Sequence, residues 1–245
     1  MTQRTITFTY AVFALDEERT VNLGSLTITP NDLIVLIGGN GSGKTSIAKA
    51  LNGEVPLKSG VAPTNYHPVL VSFEKQMELF EADYEMRNSD CTTPEEEIGI
   101  TPALILKDDD PELLPDLIKG LNLEKLMEKP IRQLSGGEGR KVLLAHALAS
   151  KPNLIIFDTP FDALDVETRA ELLRLINEIH TKYQTPTVLI VNRPTEIPES
   201  LTSMGIIQNC AISKLASREE IEADDDAQSL LGYASIPDVT LPKPP

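Results

Sequence analysis

The stretch that most constrains this chain runs from Leu33 to Gly53, LIVLIGGNGSGKTSIAKALNG. Four apolar residues, Ile34 to Ile37, run into a glycine-rich turn, and beyond Gly43-Lys44-Thr45 the pattern turns helical, with Ile47, Ala48 and Leu51 on one face. Gly38 to Thr45 fits G-x-x-x-x-G-K-[ST] between a strand and a helix, the setting a phosphate-binding loop requires. Glycines let consecutive backbone N–H groups turn inward around phosphate oxygens where a side chain would clash. The helix that follows adds its N-terminal partial positive charge. The expected contacts come from Gly38, Gly39, Asn40, Gly41, Ser42, Gly43, Lys44, Thr45 and Ser46, with Lys44 reaching the β- and γ-phosphates and the Thr45 hydroxyl suited to Mg²⁺. A chain built on this stretch binds a nucleoside triphosphate or descends from one that did.

Size and charge narrow the setting. The chain has 245 residues, 41% hydrophobic, enough for one α/β domain with a real core. A net charge of −15 argues against wrapping nucleic acid or lying on anionic lipid, so no nucleic-acid partner is expected. Cys91 and Cys210 make neither a disulfide framework nor zinc spacing, and they read as cytosolic thiols. No apolar run reaches the ~18 residues of a membrane span, and the N-terminus lacks the pattern of a secretory signal. The expected location is cytoplasmic, or peripheral on the inner face of the cell membrane.

Along the chain, Thr5–Leu15 and Val21–Thr29 read as an antiparallel strand pair turning at Asp16–Arg19. Val69–Phe73, Leu154–Phe157 and Val188–Val191 read as short buried strands, and Gly205–Leu215 as a hairpin. Between Gln76 and Gln133 the composition becomes acidic and helical, punctuated by prolines, which suggests a helical subdomain over about 76–150. The acidic triplets Glu95–Glu97 and Asp108–Asp110 read as solvated surface. Glu138–Ala149 and Val166–His180 have helical periodicity, the latter burying Leu172, Leu173, Leu175, Ile176 and Ile179, and Arg218–Leu231 reads as an acidic helix. The tail, with four prolines in its last eleven residues, reads as an extended linker. We therefore expect one nucleotide-binding domain over 1–233, followed by a linker, 234–245, to a probable second domain.

A second motif separates this chain from other P-loop proteins. Leu134-Ser135-Gly136-Gly137-Glu138 follows Lys44 by about ninety residues and opens a helix, so its backbone N–H groups and hydroxyl can face a phosphate. Ser135 and Glu138 would also make a plain helix cap. Then come an apolar strand ending in Asp158, which can hold Mg²⁺, and Phe161-Asp-Ala-Leu-Asp165. In this order the set resembles an ABC-type ATPase over roughly residues 5–215. More narrowly, VSFEKQ (71–76), RNSD (87–90), the Arg140-Lys141 pair and VNRPTEIPE (191–199) are similar to the N-terminal half of a tandem member of that family associated with molybdate transport.

The resemblance implies a P-loop domain with a mixed central sheet, an N-terminal antiparallel β region and a helical subdomain, using ATP and Mg²⁺. It implies head-to-tail pairing with a second ABC domain, in the same full-length chain or a homodimer, and membrane permease subunits as further partners. By it, Ser135, Gly136 and Gly137 touch the γ-phosphate of a nucleotide on the opposite domain, and Asp165 crosses that interface. Phe13 is the candidate to stack on adenine, with Tyr10 as the fallback. Gln76 is the candidate glutamine of the metal shell, although strand spacing favours Phe73 or Glu74.

Two positions depart from the family pattern. The glutamate expected after Asp158 is Thr159, a very poor proton acceptor at neutral pH. The expected histidine after the strand at 188–191 is Asn192, which can donate a hydrogen bond but has no titratable proton. His146 and His180 lie on other helices. Nucleotide binding should survive while hydrolysis at this loop is slow or absent. The rivals are a non-hydrolysing ATP-dependent clamp, a soluble ABC protein acting on nucleic acid or ribosomes and, least favoured, a small-molecule kinase, which has no need of the second motif.

Overall fold

The computed structural model describes residues 5–88, 98–224 and 227–228. Cys91, the Glu95–Glu97 triplet, the end of the acidic helix and the proline-rich linker lie outside the described residues.

Strands β3 (Leu33–Ile37), β6 (Leu154–Asp158) and β7 (Thr187–Val191) are buried at every position. Such unbroken apolar runs suit parallel strands covered on both faces. With β5 (Pro68–Ser72) and β8 (Ser203–Gln208) they form the parallel part of a nine-stranded sheet, where β5 pairs β6, β6 pairs β7, β7 pairs β3 and β3 pairs β8. The rest is antiparallel apart from one bridge. β9 (Ala211–Ala216) returns against β8 and meets β2 (Thr20–Ile28) in parallel at Asn22, β2 pairs β1 (Ile6–Ala14), and β4 (Leu57–Val61) lies outside β1. The sheet is therefore mixed, with its antiparallel part built from the N-terminal strands β1, β2 and β4 together with β9.

Side chains alternate between two cores, as the two-residue strand period demands. Val35, Ile37, Ile155, Phe157, Leu189 and Val191 join one core, packed by α5 (Gly136–Ala149) and α6 (Val166–Tyr183). Ile34, Leu36, Leu154, Ile156, Val188 and Ile190 join the other, with α1 (Lys44–Leu51) and the N-terminal strands. Between β5 and β6 the described chain is mainly helical: α2 (Phe73–Arg87), α3 (Pro102–Ile105), α4 (Leu114–Gly120), a 3₁₀ turn at Ile131–Gln133, then α5. A further short helix, α7, spans Arg218–Glu222.

Three differences from sequence expectation have local causes. The strand expected to end at Phe73 stops at Ser72, whose hydroxyl accepts the Lys75 N–H at 3.1 Å and caps α2. β4 is unexpected because LKSGV is exposed throughout and has no apolar alternation. The Asp108–Asp110 triplet is only partly a solvated face. Asp109 lies 2.8 Å from His146 Nδ1 and Asp110 pairs with Lys151, leaving Asp108 in water.

Candidate functional site

The C-terminal ends of β3, β5, β6 and β7 lie side by side, and there an open α/β sheet takes its ligands. Ile37 is in register with Val191, Asp158 with Ile190, and Ser72 with Asp158. Gly38, Asp158, Thr159 and Asn192 therefore cluster at one edge, whatever their distance in sequence.

Close contacts shape the loop after β3. A Cβ on Gly38 would lie 2.4 Å from Ser42 Oγ and 2.8 Å from the Ile207 carbonyl, so only glycine fits. Gly43 has φ +99, and a Cβ there would meet Cys210 Sγ at 2.6 Å and Cys210 Cα at 2.7 Å. The turn between β8 and β9 braces the loop through the Cys210 N–H, which donates to the Ser42 carbonyl at 2.8 Å. Asn40 and Gly41 form the exposed tip, and Thr45 and Ser46 open α1. Lys44 Nζ donates to the carbonyls of Gly38 (3.0 Å) and Gly39 (2.8 Å), so the ammonium is held across the mouth of the loop. Burial lowers its pKa from the usual lysine value, opposed by the nearby charges of Asp158 and Asp162.

Asp158 ends β6 at 3% exposure. Burial raises its pKa from the usual carboxylate value, while a Thr45 hydrogen bond and the Lys44 charge pull it back. Its Oδ1 is buried without a hydrogen-bond partner. An unpartnered carboxylate oxygen beside the Thr45 hydroxyl is a hard-oxygen donor set that fits Mg²⁺, which takes one or two protein oxygens alongside phosphates. No cluster of three His, Cys, Asp or Glu side chains is placed to hold a metal ion among the described residues.

Thr159 follows with φ +45, an uncommon conformation for a β-branched residue, and its N–H donates to the Ile190 carbonyl at 3.0 Å. Asn192 begins the turn after β7, where the buried Glu196 carboxylate accepts the N–H groups of Asn192 and Arg193, each at 3.1 Å. Asn192 Nδ2 donates to both carboxylate oxygens of Asp162, at 2.9 and 3.1 Å, and its Oδ1 is buried without a partner. Nothing in the motif pattern assigns Asp162 a role; the only signal was a second carboxylate inside the Phe161–Asp165 motif.

Ser135 caps α5 with a reciprocal pair: the Glu138 N–H donates to Ser135 Oγ at 3.2 Å, and the Ser135 N–H to Glu138 at 2.7 Å. Leu134 and Gly137 are buried, whereas Ser135 and Gly136 are exposed. Asp165 is exposed too and caps α6 through Thr168, with a backbone N–H bond of 3.0 Å and a hydroxyl bond of 2.7 Å. Arg140, two residues beyond Glu138, is 2% exposed; its Nη2 donates to the Asp162 carbonyl at 2.7 Å and its guanidinium lies 5.4 Å from the Phe73 ring centre.

Two of the candidate residues have surroundings that differ from what the resemblance implies. Phe13 is 3% exposed, packed edge-on against Phe8 in the β1 core, so its ring has no face free for adenine. The exposed aromatic on β1 is Tyr10, at 76%, turned out where the strand bulges at φ +47. Gln76 turns its amide to the helix opened by the second motif. It is 4% exposed in the first turn of α2, with Nε2 donating to the Gly136 carbonyl at 3.4 Å and its amide against Gly139. Helix α2 starts directly after β5, so the residues nearest the strand end are Ser72, Phe73 and Glu74, and Glu74 acts electrostatically on Asp158. His146 and His180 bond to Asp109 and to the Thr185 carbonyl, away from these strand ends.

Residues 21–162 match the model of the ABC transporter family. The chain belongs to that family. The ABC transporter ATP-binding protein ModF of Escherichia coli is 34% identical over 236 residues, 95% of this chain and 48% of ModF. The zinc import ATP-binding protein ZnuC of Hydrogenovibrio crunogenus is 32% identical over 170 residues, 65% of this chain and 61% of ZnuC. The chain thus spans about half the length of ModF and under two thirds of that ZnuC. Among solved structures, a nucleotide-free ATP-binding cassette from an ABC transporter aligns with TM-score 0.68 at 19% identity, covering 92% of this chain and 97% of that one. A bacterial Atm1-family ABC exporter with ATP bound aligns with TM-score 0.70 at 16% identity, covering 96% of this chain and 42% of that one. The fold is that of an ABC ATP-binding domain, and no helix among the described residues is long and apolar enough to cross a membrane.

Proposed function

We propose that this ABC domain is one half of a tandem transport ATPase, binding Mg-ATP at Gly38–Thr45 and pairing head-to-tail with a second ABC domain. The observation that supports this reading is the edge where Lys44 and Asp158 lie beside Thr159, a threonine at the position where the family resemblance expects the acid that activates water. Lys44 and the loop N–H groups take the β- and γ-phosphates. Thr45 and Asp158 would hold Mg²⁺, which supplies neutralising charge to the phosphate oxygens. Ser135–Gly137 and Asp165, exposed apart from Gly137, are offered to the partner domain's nucleotide. Work comes from ATP-driven closure of the two domains, transmitted to membrane permease subunits from the cytoplasmic side.

A tandem arrangement is supported by the 48% of ModF that the chain covers, the share one of two similar domains would take. We extend the reading to molybdate or another imported solute through that likeness alone. Loss of a general base forfeits about 10²- to 10⁴-fold in rate, so hydrolysis at this loop is slow and the nucleotide is held. A non-hydrolysing, ATP-dependent clamp is the second reading, favoured by Thr159 and Asn192 together. The −15 charge disfavours a partner of nucleic acid or ribosome.

The test is Mg-ATP turnover over a range of chain concentrations, with Lys44→Ala as the blank. Turnover far below that of a competent ABC site, with ATP binding intact, is expected. Rapid turnover per molecule that rises with concentration would mean that the chain pairs with itself and hydrolyses normally, and would overturn the slow-site reading.

A further inference from the structure

A slow site still needs a group to take the proton of the attacking water. Thr159 cannot, and the Asn192 amide has no proton-accepting nitrogen. Asp162 lies three residues beyond Thr159, in the turn between β6 and α6. Three elements fix its place. Asn192, from the end of β7, grips both its carboxylate oxygens; Arg140, from the helix opened by the second motif, holds its backbone carbonyl; and the Asp162 N–H donates to the Thr159 carbonyl at 3.2 Å.

Its charge acts on the cations to either side, opposing the effect of burial on both Lys44 and Arg140, and it adds to the negative potential at Asp158. Asn192, which grips the carboxylate, follows β7, and β7 pairs with both the P-loop strand β3 and the strand that ends in Asp158, so Asp162 is held at the same sheet edge although no motif provides for it. The unpartnered Oδ1 atoms of Asp158 and Asn192 belong to the same cluster.

We propose that Asp162 is the carboxylate that accepts the proton of the attacking water at this P-loop, in place of the acid missing at position 159, and that Asn192 positions it. This rests on the reading that Gly38–Thr45 holds Mg-ATP. In the step, the water oxygen bonds to the γ-phosphorus while the bond from that phosphorus to the β–γ bridging oxygen breaks, its electron pair leaving with ADP. One water proton passes to the Asp162 carboxylate. Phosphate departs with the other, and Asp162 returns its proton to solvent. Because one amide already engages both oxygens of Asp162, fewer lone pairs face the water than a free glutamate would offer, in keeping with a slow site.

The test is single-turnover hydrolysis of γ-labelled Mg-ATP by the full chain, with binding of a fluorescent ATP analogue measured in parallel and Lys44→Ala as the blank. Asp162→Asn should fall to the blank while its ATP affinity stays within about threefold of wild type. Thr159→Glu in that background should restore turnover, because it returns a carboxylate to the strand end. Asp162→Glu, which keeps the acid, should stay above the blank, and Asn192→Ala should lose about tenfold in rate at little cost in affinity. Wild-type turnover by Asp162→Asn would overturn the proposal. So would failure of Thr159→Glu to rescue it, or a dead Asp162→Glu that still binds ATP. If the wild type itself does not exceed the blank, Asp162 has no step to serve: the proposal falls while the holding reading stands. If the wild type is fast and Asp162→Asn stops it, the slow-site reading falls and Asp162 stands.

Discussion

Replacing Arg140 by methionine measures what ties the second-motif helix to the turn after β6. The guanidinium is 2% exposed, its Nη2 donates to the Asp162 carbonyl at 2.7 Å, and its Nε is buried with no hydrogen-bond partner. Methionine fills most of the volume and removes the donor. The Asp162 carbonyl then loses its Arg140 bond, at about 1–3 kcal/mol, with a further ~1 kcal/mol for the cation lost from the Phe73 ring. Against this, a costly buried charge disappears, and such swaps are sometimes neutral. We expect a net loss of about 1–3 kcal/mol, because the carbonyl and the neighbouring carboxylate remain without their cation. For a chain of this size that lowers Tm by about 2–12 °C in thermal unfolding followed by circular dichroism. Arg140→Ala adds a cavity and should fall further, to about 3–5 kcal/mol in total. A methionine variant as stable as wild type, or more so, would refute the reasoning, since burying the guanidinium would then cost at least what its contacts return.

Gly43→Ala places a methyl 2.7 Å from the Cys210 backbone at φ +99. The strain of about 1–2 kcal/mol should weaken Mg-ATP binding by roughly tenfold, read by calorimetry. The Ser135 N–H holds the Glu138 carboxyl below its ordinary value of 4.5. A carboxylate with a lowered folded-state pKa stabilises above its unfolded value and ceases to as pH falls through the lowered one. The stability gap between wild type and Glu138→Ala should therefore be full at neutral pH and shrink below 4.5, as denaturant titrations at several pH values would show.

The P-loop, the three fully buried strands and Asp158 were legible because each carries a signal within a few residues: glycines with a lysine, or unbroken apolar runs. The site's electrostatics were not, because they arise between elements far apart in sequence. Asn192 meets Asp162 across thirty residues, and only the register of β7 beside β6 brings them together. Arg140 reads as an ordinary helical cation until its burial beneath the turn after β6 is seen. The burial of Phe13 and the exposure of Tyr10 were hidden for a related reason. Sequence places an aromatic on β1, but the bulge at Tyr10 decides which ring faces in. Gln76 lies within the first turn of α2 because that helix begins at the strand end, which leaves Ser72, Phe73 and Glu74 nearest it, as the strand spacing favoured.

The measurement closest to the central claim is recovery of the nucleotide held by the chain. The protein is incubated with γ-labelled Mg-ATP, separated from free nucleotide, quenched in acid, and the bound label resolved into ATP and phosphate. Within the few turnover times of a competent ABC site, a P-loop that holds its nucleotide beside Thr159 predicts label recovered as ATP, with none retained by Lys44→Ala and phosphate appearing only on much longer incubation. Label recovered in that time as phosphate with ADP left bound would contradict it, and would make this P-loop a working hydrolytic site.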